Sequence, residues 1–101
     1  MKNVYTIAEI VQLAEKAATQ AYSEVKEELG EDAAAVAAAT AFRVNLPAMT
    51  SPAAVQAYLA TLIRGIELGF LSHRETRLLV ATARTWIAAY HAGQAAKAVA
   101  Q

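Results

Sequence analysis

The chain is 101 residues long, with nine Lys plus Arg, nine Asp plus Glu and no net charge. That is enough for one domain, residues 1–101, and it excludes a strongly basic nucleic-acid-coating protein and an acidic nucleic-acid mimic. Cysteine is absent, which excludes disulfides, thiol nucleophiles and Cys-ligated metals, and 56% hydrophobic against 18% charged residues excludes a disordered chain.

Alanine supplies 26 positions, and Gly30, Gly65, Gly69, Gly93, Pro47 and Pro52 are the only helix breakers. This composition predicts an all-α fold, a compact four-helix bundle. Thr6 followed by Glu9 is a capping box, so a first helix is predicted over Ile7 to Leu29. Gly30 closes it, because glycine takes a left-handed conformation at low cost. Ile7, Val11, Ala14, Ala18, Ala21, Val25 and Leu29 recur every three or four residues as its apolar stripe, which Ile10, Leu13 and Tyr22 widen.

Asp32 is the next cap candidate, with a second helix from Ala33 to about Phe42. Alanine surrounds that helix on every side, which predicts that it is buried between the others. Asn45 and Pro47 place a loop over Arg43 to Thr50. Ser51-Pro52 then starts a third helix, to about Leu68, with Val55, Leu59, Leu62 and Ile66 as its stripe. Gly69 stops it, and Gly65 marks a close crossing. Ser72 with Glu75 is a second capping box, opening a fourth helix from His73 to about His91, fraying toward Ala98. Only Phe70 and Leu71 separate Gly69 from Ser72, so the third and fourth helices are expected to form an antiparallel hairpin.

Membrane insertion is not expected. Met1 to Ser23 reads as an amphipathic helix rather than a secretory signal, because Glu9, Gln12, Glu15 and Lys16 break its apolar residues. The longest near-apolar run, Ala33 to Phe42, falls short of the roughly 20 residues that span a bilayer. A soluble cytoplasmic protein follows as the expectation.

Charge is unevenly placed. Residues 1–50 hold four cations against seven anions, and residues 51–101 hold five against two. In the second half Arg74, Arg77, Arg84 and His91 fall on one helical line, with Ala81 and Ala88 between them. An accessible arginine row is a docking edge for an acidic partner or for phosphates. The competing reading is a solvated face, or arginines that pair with the acidic end of the first helix. Trp86 and Tyr90 belong to the apolar stripe of the fourth helix, and where partly exposed they are interface anchors. Arg74, Arg77, Arg84, Trp86, Tyr90 and His91 are therefore the candidate partner-binding residues.

Catalysis and metal binding find little support. His73 and His91 are the only histidines, and eighteen residues of helix place them about 27 Å apart, too far to share a metal. No G-x-S-x-G, S-x-x-K or Gly-rich phosphate loop occurs. Glu24, Glu27 and Glu28 read as a solvated face. No enzyme activity, metal or cofactor is expected. A nucleic-acid reading has more in its favour. Gly69-Phe70-Leu71-Ser72 followed by His73, Arg74, Thr76 and Arg77 offers a short turn and a basic helix start. Against it stand the length of that helix and Glu75 in its first turn.

A chain this short buries only about 65% of its unfolded surface. With more than half of its residues apolar, leftover apolar surface points to an interface, and a homodimer is the expected way to cover it.

The segment Thr50 to Tyr90 resembles small helical proteins of prophages and other mobile elements. Thr50-Ser51-Pro52, Val55, Leu59 and Ile63 carry the likeness, with Gly69-Phe70-Leu71-Ser72, Glu75 and Leu78-Leu79. The resemblance covers the hairpin segment alone and transfers no functional residue. It implies a stoichiometric protein binder, a regulator or an inhibitor, of the kind that includes blockers of host defence. The expected function is thus a non-enzymatic protein-interaction module. Nucleic-acid binding through the start of the fourth helix, or a self-associating structural subunit, are the alternatives.

Overall fold

The structure, a computed structural model, describes residues 5–100. It is all-α, with the four expected helices in order: α1 (Ile7–Leu29), α2 (Glu31–Val44), α3 (Pro52–Glu67) and α4 (His73–Ala100). Residues 1–4 of the amphipathic opening segment lie outside the described residues. No described helix is long and apolar enough to cross a membrane.

Local chemistry sets most of the boundaries. The Thr6 hydroxyl accepts from the Glu9 N–H at 3.1 Å, and the Glu9 carboxylate accepts from the Thr6 N–H at 2.9 Å. Ser51 caps α3 by accepting from the Ala54 N–H, with Pro52 at the first helical position. Gly30, at φ 88°, ends α1 by donating to the Lys26 carbonyl and starts α2 by accepting from the Ala34 N–H. This corrects the sequence expectation for α2. Gly30 and not Asp32 is its N-cap, and Asp32 sits in the first turn. At its other end α2 continues past Phe42 to Val44, where the Asn45 side chain donates to the Ala41 carbonyl.

The core runs through all four helices. Ala14 and Ala18 of α1 join Ala38 and Phe42 of α2, Val55, Tyr58 and Leu62 of α3, Leu71 of the turn and Ala83 of α4. α1 packs against both α2 and α3, while α4 packs along α3. The most covered helix is α3, with Val55, Ala57, Tyr58, Thr61, Leu62 and Gly65 buried. The expectation that α2 is buried is overturned. It buries only Ala34, Ala38 and Phe42, and leaves Val36 and Val44 67% and 77% exposed. Alanine suits close contact on every side of a helix, but α2 has a full neighbour, α1, on only one.

The third and fourth helices form the predicted hairpin. Gly65 allows it: a Cβ there would lie 2.6 Å from Leu71 Cδ1 and 2.7 Å from Phe42 Cε1. Its carbonyl accepts from the N–H groups of both Phe70 and Leu71, and Gly69 takes φ 79° in the turn. Helix α4 does not stop near His91 as expected but runs on to Ala100. The molecule measures 60 × 37 × 18 Å.

Candidate functional site

The α3–α4 hairpin carries the sequence-predicted partner residues, and its turn holds α4 firmly. The Ser72 hydroxyl accepts from the Glu75 N–H at 3.1 Å and donates to Glu75 Oε1 at 3.3 Å, while Glu75 Oε2 accepts from Arg43 Nη1 of α2 at 2.8 Å. One carboxylate thus ties the start of α4 both to its own cap and to α2. A turn further on, the Tyr58 hydroxyl donates to the Leu79 carbonyl at 3.4 Å, crossing from α3 to α4. Burial raises the Tyr58 phenol above its ordinary value.

Beyond that crossing, Trp86 and Ile87 pack against the core from α4. The Trp86 and Tyr90 rings stack with centroids 5.3 Å apart and planes 10° from parallel. His91 meets Tyr90 edge-on at 5.9 Å. These three side chains and Ile87 form one wall of a mainly apolar cavity of about 220 Å³. Pro52, Val55, Gln56 and Leu59 of α3 form the other wall. Sequence reasoning named the α4 wall and missed the α3 wall. A signal was present: positions 52, 55, 56 and 59 share one helical face, and an antiparallel hairpin sets that face against residues near 86–91.

The arginines divide. Arg77 and Arg84 line a groove of about 380 Å³ along α4 with His73, Thr76, Val80 and Ala81. Arg74 lines neither cavity nor groove. Among the described residues, Arg74, Arg77 and Arg84 enter no ion pair or side-chain hydrogen bond. The alternative in which they pair with the acidic end of α1 is therefore not what the structure shows. Four acidic side chains meet other cations: Glu15 and Glu67 take Arg64, Glu31 takes Lys26 and Glu75 takes Arg43.

A third depression, of about 670 Å³, is polar and lies along α1, lined by residues from Gln12 to Ser23 and by Arg64. Of its three charged side chains, Arg64 and Glu15 pair with each other, which leaves Lys16. The α3–α4 cavity differs in kind. It sets aromatic rings against apolar walls, and its polar groups are the Gln56 amide, the His91 imidazole, the Tyr90 hydroxyl and the Trp86 indole N–H. Such a cavity accepts an apolar side chain or small apolar group rather than an ion. Among the described residues no three His, Asp or Glu side chains cluster closely enough to hold a metal.

Comparison with known protein families, with characterised proteins and with solved structures yields no match to this chain.

Proposed function

We propose that the chain is a cytoplasmic, non-enzymatic protein-interaction module that binds a segment of another protein along the α3–α4 hairpin. The observation that carries this reading is the stacked Trp86–Tyr90 pair, walling an apolar cavity near arginines that form no ion pair among the described residues. An apolar anchor of the partner enters the cavity, and acidic residues beside it meet Arg84 and Arg77. Aromatic residues and arginine dominate the energetics of protein interfaces because they combine large buried area with directed hydrogen bonds. Regulation or inhibition by occupancy is the mode of action consistent with the resemblance to prophage proteins.

The test is affinity capture from a native lysate with and without nuclease, using the wild type, Trp86→Ala and an Arg77→Glu/Arg84→Glu double variant. The expected result is one stoichiometric protein that survives nuclease and is lost with both variants. Capture indifferent to both variants overturns the assignment of this site.

A second reading, nucleic-acid binding at the start of α4, draws support from Glu75. Its carboxylate is engaged by Arg43 and the Ser72 cap, which lessens its repulsion of phosphate beside His73 and Arg77. Binding that vanishes with nuclease and weakens steeply with salt selects that reading instead.

A further inference from the structure

Two parts of the chain reach beyond its core. A globular chain of about 100 residues has a radius of gyration of about 13 Å, and here it is 16.4 Å. Every described side chain of α4 from Ala88 to Lys97 is exposed. At the tip where α1 turns into α2, every residue from Ser23 to Asp32 except Val25 is exposed. The last buried residue of α1 is Ala18, and Leu29 lies eleven residues beyond it, about 16.5 Å along the helix.

That tip is acidic and ends α1 on an apolar side chain. Glu24, Glu27, Glu28, Glu31 and Asp32 stand against a single cation, Lys26, which pairs with Glu31. Glu27 and Glu28 form no ion pair among the described residues. Both lie in the last turn of α1, where a carboxylate opposes the helix dipole, so helix stability does not account for them. Leu29 beside them is 72% exposed, the most exposed large apolar side chain of α1.

Helix α4 offers the complement. Arg77, Arg84 and His91 follow one another at intervals of seven residues, about two turns, and so lie on one side of the helix. Arg77 and Arg84 line the groove and His91 lines the apolar cavity, so the row leads from one into the other. A cavity of about 150 Å³ holds a benzene ring, so the one of about 220 Å³ has room for an aliphatic side chain. Leu29 does not line the cavity of its own chain. A tip and a site that match in charge and apolar content, and do not meet within one chain, can meet between two.

We propose that the α3–α4 site is filled by the α1–α2 tip of a second copy of this chain, with Leu29 in the cavity and Glu27 and Glu28 against Arg77 and Arg84. The proposal rests on the reading of that site as a receptor for an apolar anchor flanked by acidic residues, and adds that the chain supplies such an anchor itself. Two copies that exchange tips around a two-fold axis fill both sites and stop at a dimer. A partner protein then competes with the second copy for the site.

The test is sedimentation equilibrium of the full chain over a concentration series, at low and high salt. The wild type is expected as a dimer whose dissociation constant rises with salt. Leu29→Gln, Glu27→Lys/Glu28→Lys and Arg77→Glu/Arg84→Glu are each expected to raise that constant by about tenfold or more. All of these change exposed side chains outside the core, so circular dichroism should show undiminished helix. An equimolar mixture of the two charge-reversed chains is decisive. There the reversed tip meets the reversed site and the native tip meets the native site, so association is expected to return. A wild type that is monomeric throughout, tip variants that dimerise like the wild type, or a mixture that stays monomeric overturns the proposal. None of these results bears on capture of another protein. Leu29→Gln and Glu27→Lys/Glu28→Lys leave every side chain of the α3–α4 site in place, so capture measured with them tests that site alone.

Discussion

Arg64 of α3 grips Glu15 of α1 through two hydrogen bonds, from Nε to Oε2 and from Nη2 to Oε1, both 3.2 Å. The two residues are 49 positions apart in sequence. The bonds and charge of Glu15 raise the Arg64 guanidinium further above its ordinary range. A planar guanidinium matches a carboxylate in this two-pronged way, which fixes orientation as well as proximity. The pair therefore aligns α1 with α3, the junction that joins the α1–α2 half to the hairpin.

Glu15→Gln should keep the shape of the side chain and lose the charge. Its melting temperature is expected to fall below that of the wild type at low ionic strength. The gap should narrow as salt is added, because both side chains reach solvent and salt screens them. A gap that does not respond to salt would show that the charge is not what matters.

Glycine-to-alanine substitution should have opposite signs at two positions. At Gly65 the added methyl meets Leu71 and the fully buried ring of Phe42. Overpacking of that kind costs about 1–3 kcal/mol, against a gain of about 1 kcal/mol in helix propensity. At Gly93 an added methyl would meet nothing within 4 Å, and Gly93→Ala should stabilise by up to about 1 kcal/mol. Urea denaturation of both variants measures the difference. Equal effects at the two sites would contradict the close crossing at Gly65.

Tyr58 should make the fold sensitive to alkali. Burial raises its phenol above the ordinary value of 10.0, so the folded state holds that proton more tightly than the unfolded state. The associated stability is complete below about pH 10 and declines as pH rises through the folded-state value. Tyr58→Phe removes that decline along with the hydrogen bond to Leu79. Melting temperatures from neutral to alkaline pH should fall more steeply for the wild type than for the variant. Parallel curves would refute the assignment.

Caps provide a direct comparison between sequence reading and structure. Ser51→Ala removes the hydroxyl that accepts from the Ala54 N–H and is expected to cost about 0.5–2 kcal/mol. Asp32→Ala removes no cap, because Gly30 starts α2, and should lose only the dipole contribution of about 0.3–1 kcal/mol. Chemical denaturation of the two variants side by side tests the order. A larger loss at Asp32 would restore it as a cap.

The site was partly legible in advance. Trp86 and Tyr90 come together as their apolar stripe predicts, because residues four apart on a helix are neighbours, whereas His91, which the sequence places on the arginine line, meets Tyr90 as its neighbour in the chain. The partner wall of Pro52, Val55, Gln56 and Leu59 depends on the register of the hairpin. That register is set where Gly65 meets Leu71, a contact that no local pattern specifies.

Sequence alone determined the helix count, the hairpin and most of the boundaries. Thr6, Gly30, Ser51 and Ser72 act through hydrogen bonds to backbone groups within four residues, so their effects are written locally. Tertiary structure alone decided which faces are covered. Alanine is equally fit for a core or an open helix face, so nothing in Ala33 to Phe42 states that α2 has one full neighbour rather than several. The same holds for Arg64 and Glu15, and for the bare length of α4. Burial and long-range pairing depend on how helices distant in sequence are placed, and that is settled only when the whole chain packs.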